Sequence, residues 1–443
     1  MITRKVILWS VVVAMGGFLF GFDTAVISGA EQAIQKYWML SDLQHGFTIS
    51  IALIGTVTGA FLGRIPADML GRKKALLIIA FIFLFSSLGT ALATNWYIFI
   101  ALRFIGGLGV GASSVIAPIY ISEISPAAAR GRLVVLFQFN IVFGILISYF
   151  SNYLIGQNFQ DSWRYMLGVQ VVPSLLFLIL LKLVPESPRW LLLRQNRYEE
   201  ARQILQVINP QGFEQELEVI IATNKEDAKD PDGGDIFAKR YRFPAMLAIL
   251  FAFFNQVSGI NAIIYYAPRI FEMTGLGKSA SLLSTAGIGL VNFTFTMIAI
   301  RFIDSIGRKK LMLIGSFGLI LTLGLVSYSF YSKSFSGFYV TFYLMGFIAF
   351  FAFSQGAVIW VFISEIFPNQ VRAKGQTLGS FTHWLLAALI AFSFPYFAER
   401  LGGGNTFLFF TVMMVLQLLF VWKLMPETKG KSLEQLEQSI IGH

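Results

Sequence analysis

Asp23 and Arg103 are charges placed where charge is expensive. Asp23 sits in GGFLFGFDTAVISGA, residues 16–30, and its surroundings from Val6 to Gly29 are apolar, small or weakly polar. A carboxylate in hydrocarbon costs about 3 kcal/mol on insertion scales. It therefore calls for a cation at the same depth. Among the charged residues, Arg103 is the one base and Asp23 the one acid well inside an apolar run. Asp23 lies eight residues before Glu31, taken as the outer end of its run, and Arg103 lies eight residues after Asn95, the outer start of its own. At about 1.5 Å per residue both fall about 12 Å below one boundary. The two are expected to pair, because an isolated buried charge costs far more. Burial favours the neutral acid while the guanidinium favours the carboxylate, so such a pair is suited to taking up and releasing a proton. The plainer alternative is a static pair that fixes helix packing.

A second kind of chemistry is concentrated in FFNQVSGINAIIYY, residues 253–266. Asn255, Gln256 and Asn261 carry amides that donate and accept together, which suits adjacent hydroxyl groups, and the neighbouring rings suit C–H surfaces. A lipid-facing helix would not keep such groups. Ser258-Gly259 between them fits a local break, tolerated at membrane depth only where backbone lines a cavity. For any one amide the plainer reading is an interhelical hydrogen bond, worth about 0.6 kcal/mol in a membrane.

The elements that must position these groups are membrane spans. The 443 residues are 56% hydrophobic and 13% charged, against about a quarter charged in a soluble domain. Charges cluster between twelve apolar runs, from 6–30 and 47–70 to 376–397 and 405–425, each long enough to cross a bilayer. The first is too long for a signal peptide. The net charge of +10 does not point to nucleic acid, because 27 of the 34 Lys and Arg fall on one side of the spans. That asymmetry puts both termini in the cytoplasm. With no cysteine there are no disulfides or thiolate metal sites.

Two similar halves are legible. ADMLGRKKALLI (67–78) returns as IDSIGRKKLMLI (303–314), YISEISPAAARG (120–131) as FISEIFPNQVRA (362–373), and PESPRWLL (185–192) as PETKGKSL (426–433), at offsets of 236, 242 and 241 residues. A duplicated six-helix unit follows, a known transporter architecture. The expected domains are 1–184, a six-helix bundle; 185–242, a cytoplasmic helical linker ending in KEDAKDPDGGD; 243–425, a second bundle; and 426–443, a cytoplasmic tail. The repeated blocks put Asp68, Arg72, Glu123, Arg130 and Glu186 of the first half, and Asp304, Arg308, Glu365, Arg372 and Glu427 of the second, at the cytoplasmic helix ends. Glu123 is expected to meet Arg130, and Glu365 to meet Arg372, in a ring of weak salt bridges that latches an inner gate.

These segments resemble the major facilitator superfamily in GRIPADMLGRKK. They resemble its sugar porter branch in PESPRWL, the two ISE blocks, NQVSGINAIIYY and PETKGKSLEQLE, a likeness running from Gly16 to Glu437. Bacterial D-xylose–proton symporters are the nearest in pattern, facilitative glucose transporters a step further. The resemblance implies an all-α membrane protein of twelve helices, a central sugar site, alternating access, and a lipid bilayer, a monosaccharide and a proton as partners. Carried over, the sugar contacts are Phe20, Gln138, Asn255, Gln256, Asn261, Tyr265, Asn292, Gln355, Trp360, His383 and Trp384, with Asp23 and Arg103 as the proton switch. The chain departs from the pattern at Gln170, where the xylose symporters have glutamate, at Asn255 for a glutamine, at Gln355-Gly356-Ala357 for an often proline-containing stretch, and at His383 for an amide. Proton symport of a monosaccharide is the expected function, in a prokaryotic cell membrane and as a monomer. A facilitative uniporter and a transporter-like sensor are the alternatives. No catalytic constellation, cofactor motif or metal cluster stands out, since His45 and His443 lie far from His383.

Overall fold

The computed structural model describes residues 3–126, 129–159, 161–227, 236, 238–333, 335, 339–368 and 371–430. Of the expected linker, residues 228–235 and 237 lie outside this set, and so do 431–443 of the expected tail. Among the described residues, eleven helical stretches are long and apolar enough to cross a membrane. They are α1 (Arg4–Tyr37), α2 (Asp42–Leu62), α3 (Arg72–Leu92), α4 (Trp96–Glu123), α5 (Arg130–Asn158), α6 (Ser162–Leu183), α7 (Lys239–Met273), α8 (Lys278–Ile306), α9 (Arg308–Ser332), α10 (Tyr339–Glu365) and a last stretch within Arg372–Lys423. That last stretch has 52 residues, about 78 Å at helical rise and more than twice a bilayer core. Gly402, at φ 75° and ψ 159°, divides it into α11 (372–401) and α12 (403–423), giving twelve crossings.

The sequence also dictates where helices start and break. Asn95 caps α4, its side chain accepting from the amides of Tyr97 and Ile98 at 2.8 and 3.4 Å. Between α6 and α7 lie the short helices Pro188–Gln195, Tyr198–Ile208 and Phe213–Asp227. The second buries Ala201, Ile204, Leu205 and Ile208, one stripe at helical spacing. α7 is interrupted at Ser258-Gly259, where Gly259 takes φ +85°, and resumes at Ile260. α10 is interrupted at Ser354, at φ −117° and ψ −89°.

Two compact units can be separated. One gathers Met1–Val26, Ile54–Ser148 and Asp161–Asp232. Inside it α2 and α4 touch backbone to backbone: a Cβ on Gly55, Gly59 or Gly111 would lie within 2.3 Å of a carbonyl oxygen of the facing helix. The glycine-rich run at 106–113 thus serves helix packing. α3 buries Leu76, Ile79 and Phe83 and exposes Ile78, Phe81 and Phe85, an apolar outer face that belongs in lipid. The other unit gathers Ile27–Leu53, Tyr149–Gln160 and Gly233–His443. Its core packs Leu247, Phe251 and Phe254 of α7 on Phe362 and Ile363 of α10 and Phe420 of α12.

Candidate functional site

Asp23 and Arg103 meet inside the first unit. Arg103 Nη1 donates to Asp23 Oδ1 at 3.0 Å, with side chains 2% and 6% exposed for arginine and aspartate. α1 and α4 supply the two groups, and Gly106, one turn after Arg103, keeps the approach open. A Cβ there would lie 2.5 Å from Ser86 Oγ and 3.9 Å from Asp23 Oδ1. Arg103 Nε is buried with no partner among the described residues, as is Gln170 Nε2. The charge of Asp23 thus meets one guanidinium nitrogen. Phe20, one turn before Asp23, is buried, and its carbonyl accepts from Thr24 Oγ1 at 2.9 Å.

In the second unit the interruption of α7 assembles an amide chain. Ser258 Oγ donates to Asn255 O at 2.6 Å and accepts from Ile260 N at 3.3 Å, satisfying backbone groups that the break would orphan. Across it, Asn261 Nδ2 donates to Gln256 Oε1 at 2.5 Å, and Gln256 Nε2 donates to Asn255 Oδ1 at 2.9 Å. Gln256 Nε2 also lies 3.1 and 3.2 Å from the two ring nitrogens of His383. The His383 ring sits 4.9 Å, centroid to centroid, from Trp360 and from Trp384. Tyr265 is buried on the same helix, and Gln355 is buried after the α10 break, donating to Met414 Sδ at 3.5 Å. Asn292 is half-buried in this unit and Gln138 half-buried in the other. Amides, an imidazole and two indoles brought together in this way can satisfy a ligand carrying several hydroxyl groups.

The repeated blocks have matching geometry. Arg72 Nε and Nη2 donate to Glu123 at 2.9 and 3.1 Å, while Nη1 reaches Ala67 O and Asp68. Arg308 does the same with Glu365 at 3.2 and 2.7 Å, with Ile303 O and with Asp304. Glu186 accepts from the amides of Arg72 and Lys73 at 2.9 and 3.1 Å, and Glu427 accepts from those of Arg308 and Lys309 at the same distances. Each glutamate thereby caps the start of α3 or α9. Burial pushes the Glu186 carboxyl above its ordinary range, against the pull of the amides of Ser187, Lys73 and Arg72. Arg130 and Arg372 do not meet Glu123 and Glu365. They donate to the carbonyls of Ser122 and Phe367 at 3.0 and 3.3 Å. The reason is geometric: Gly71 and Gly307, at φ 95° and 97°, turn Arg72 and Arg308 across the ends of α4 and α10.

The family model described as "Sugar (and other) transporter" matches residues 9–439. The chain belongs to the sugar porter family of the major facilitator superfamily. It is 38% identical over 439 residues to the arabinose-proton symporter of Bacillus subtilis (strain 168), covering 98% of this chain and 94% of that one. It is 35% identical over 469 residues to the D-xylose-proton symporter of Escherichia coli (strain K12), covering 97% and 94%. The inward open conformation of the xylose transporter XylE from E. coli superposes with a TM-score of 0.86 at 34% identity, covering 97% of this chain and 99% of that one. This sugar porter therefore has the major facilitator fold and is a multi-pass membrane transporter, not an enzyme.

One cluster of the porter escaped the sequence reading. Glu31 marks the outer end of a run there, Arg269 counts as an outer-loop base, and His45 stands apart. In the second unit the three meet, with Glu31 and His45 fully buried. The available signal was the acid itself, standing directly after the apolar run that ends at Ala30.

Proposed function

We propose that this porter moves a monosaccharide, a pentose or hexose such as D-xylose or D-glucose, together with a proton by alternating access. It would work in a prokaryotic inner membrane as a monomer with both termini cytoplasmic. The observation that carries the reading is the buried 3.0 Å contact of Asp23 and Arg103. Protonating Asp23 removes one half of that ion pair, so proton occupancy and the packing of α1 on α4 are linked. The sugar would be held by Asn255, Gln256, Asn261, Tyr265, Asn292, Gln355 and His383, against Trp360 and Trp384. The repeated ion pairs at Arg72 and Arg308 would latch the cytoplasmic ends. The names of the B. subtilis and E. coli relatives, both proton symporters of pentoses, support the coupling. One proton per sugar driven by ~150 mV supplies about 3.5 kcal/mol, a few-hundred-fold accumulation.

Reconstituted in liposomes, the wild type is expected to alkalinise the medium on sugar addition and to concentrate sugar. Asp23→Asn should exchange sugar and do neither. An Asp23→Asn porter that still accumulates sugar removes Asp23 from the coupling. The buried amide Gln170, in place of a carboxylate, favours a facilitative uniporter, which would equilibrate sugar with no proton movement in the wild type. A panel of xylose, arabinose, glucose, galactose and fructose in the same assay identifies the substrate.

A further inference from the structure

We propose that Glu31, His45 and Arg269 form a lock on the far arm of α7, residues 260–273, and that this arm is released when Arg269 lets go. Three helices supply the parts. Arg269 Nε and Nη2 clasp both oxygens of Glu31 at 2.9 and 2.7 Å, and Nη2 also donates to Gln35 Oε1 at 2.5 Å. His45 Nε2 lies 2.6 Å from Glu31 Oε2, on the oxygen that also receives Arg269 Nη2. One carboxylate from α1 thus holds α2 and α7 together.

The arm is built as a separate lever. It starts after the Gly259 break and bends again at Tyr266, at φ −121° and ψ 16°, just before Pro268. Along the arm, Tyr149 Oη donates to Ile264 O and Tyr266 Oη donates to Ala391 O, both at 2.8 Å. These neutral bonds guide it, and Glu272 near its end accepts a side-chain hydrogen bond from Gln32 of α1, whereas the bidentate Arg269–Glu31 contact is the one ion pair the arm makes with another helix among the described residues. A planar guanidinium on both carboxylate oxygens fixes direction as well as distance. Arg269 is also the wet member, with a side chain 23% exposed against none for Glu31, so water competes for it when the clasp loosens. The same arm carries Asn261 and Tyr265, so its release would reset two groups of the amide site. That consequence rests on the transport reading, but the lock does not.

The chain has no cysteine, so a single introduced thiol reports on the arm alone. Ala267, fully buried two residues before Arg269, is the position to use. In liposomes without sugar or gradient, Ala267→Cys should react slowly with a membrane-impermeant maleimide. Adding Glu31→Gln or Arg269→Met should raise the rate about tenfold, since loss of one partner of a buried pair strongly favours the released state. His45→Gln, which leaves the clasp itself, should raise it about threefold, and Arg269→Lys, charged but unable to fork, should fall between. If Glu31→Gln does not fold, Arg269→Lys and His45→Gln still decide. An unchanged rate in these variants overturns the lock, and so does an equal rise on adding Arg103→Met, which would signal general loosening. The measurement involves no transport, so it fails or succeeds apart from proton coupling.

Discussion

Gly259→Ala should damage this porter in two separable ways. The backbone there takes φ +85°, a region that costs an L-residue about 1–2 kcal/mol. The new methyl would also sit 2.6, 2.7 and 2.9 Å from Cδ2, Cε2 and Cγ of the Phe410 ring, which leaves no room for a small shift. Overpacking of this kind costs about 1–3 kcal/mol, so the sum is about 2–5 kcal/mol. Trimming the ring separates the terms. Phe410→Leu alone should cost about 1 kcal/mol as a loss of buried volume. In the Gly259→Ala background it should instead restore about 1–2 kcal/mol, leaving the backbone part. Unfolding in mixed detergent, followed by tryptophan fluorescence, reads the wild type and the three variants. The half-saturation for sugar should rise about tenfold in Gly259→Ala, because the break brings Asn261 to Gln256. Should Phe410→Leu cost the same in both backgrounds, steric contact is not what the glycine avoids.

Other outcomes follow from the same geometry. Arg103→Met should cost about 3–5 kcal/mol and Arg103→Met with Asp23→Leu much less, as for a buried pair; simple additivity of the single variants in the unfolding assay would show the two groups to be independent. Arg72→Ala and Arg308→Ala should destabilise to within about 1 kcal/mol of each other, since their bonding patterns match, while Arg130→Ala stays near wild type, all read by unfolding. Glu186→Ala should lose about 1 kcal/mol of capping while Glu186→Gln, which keeps an acceptor, loses less. Because burial raises the Glu186 carboxyl, its contribution is full in acid and lost as pH rises past the ordinary carboxylate range, so a wild type that gains on Glu186→Gln with rising pH contradicts this. His383→Asn should keep sugar binding but change the ranking of sugars in a competition assay, whereas His383→Ala should weaken binding of all of them.

Much of the fold was legible because membrane spans must be apolar and long, and because a duplicated unit repeats its loops. Counting residues inward from two helix ends sufficed to match Asp23 with Arg103, since helical rise converts sequence distance into depth. The break at Ser258-Gly259 was legible from residue types. That in α10 was legible only as the departure at Gln355-Gly356-Ala357, directly after the break itself, where Ser354 Oγ donates to Phe350 O at 2.6 Å. Pairing Glu123 with Arg130 followed nearness in sequence, whereas antiparallel helices bring Arg72 to it from 51 positions away. Glu31 and Arg269 are 238 residues apart, and no local pattern connects them.

The caps at Arg72 and Arg308 bear on how a doubled gene can diverge. Glu186 and Glu427 grip main-chain amides, which every residue but proline possesses. Clasps of that sort tolerate changes in the side chains they hold, so two repeats can share a skeleton while their interiors differ. One repeat holds Asp23 against Arg103, the other a chain of amides.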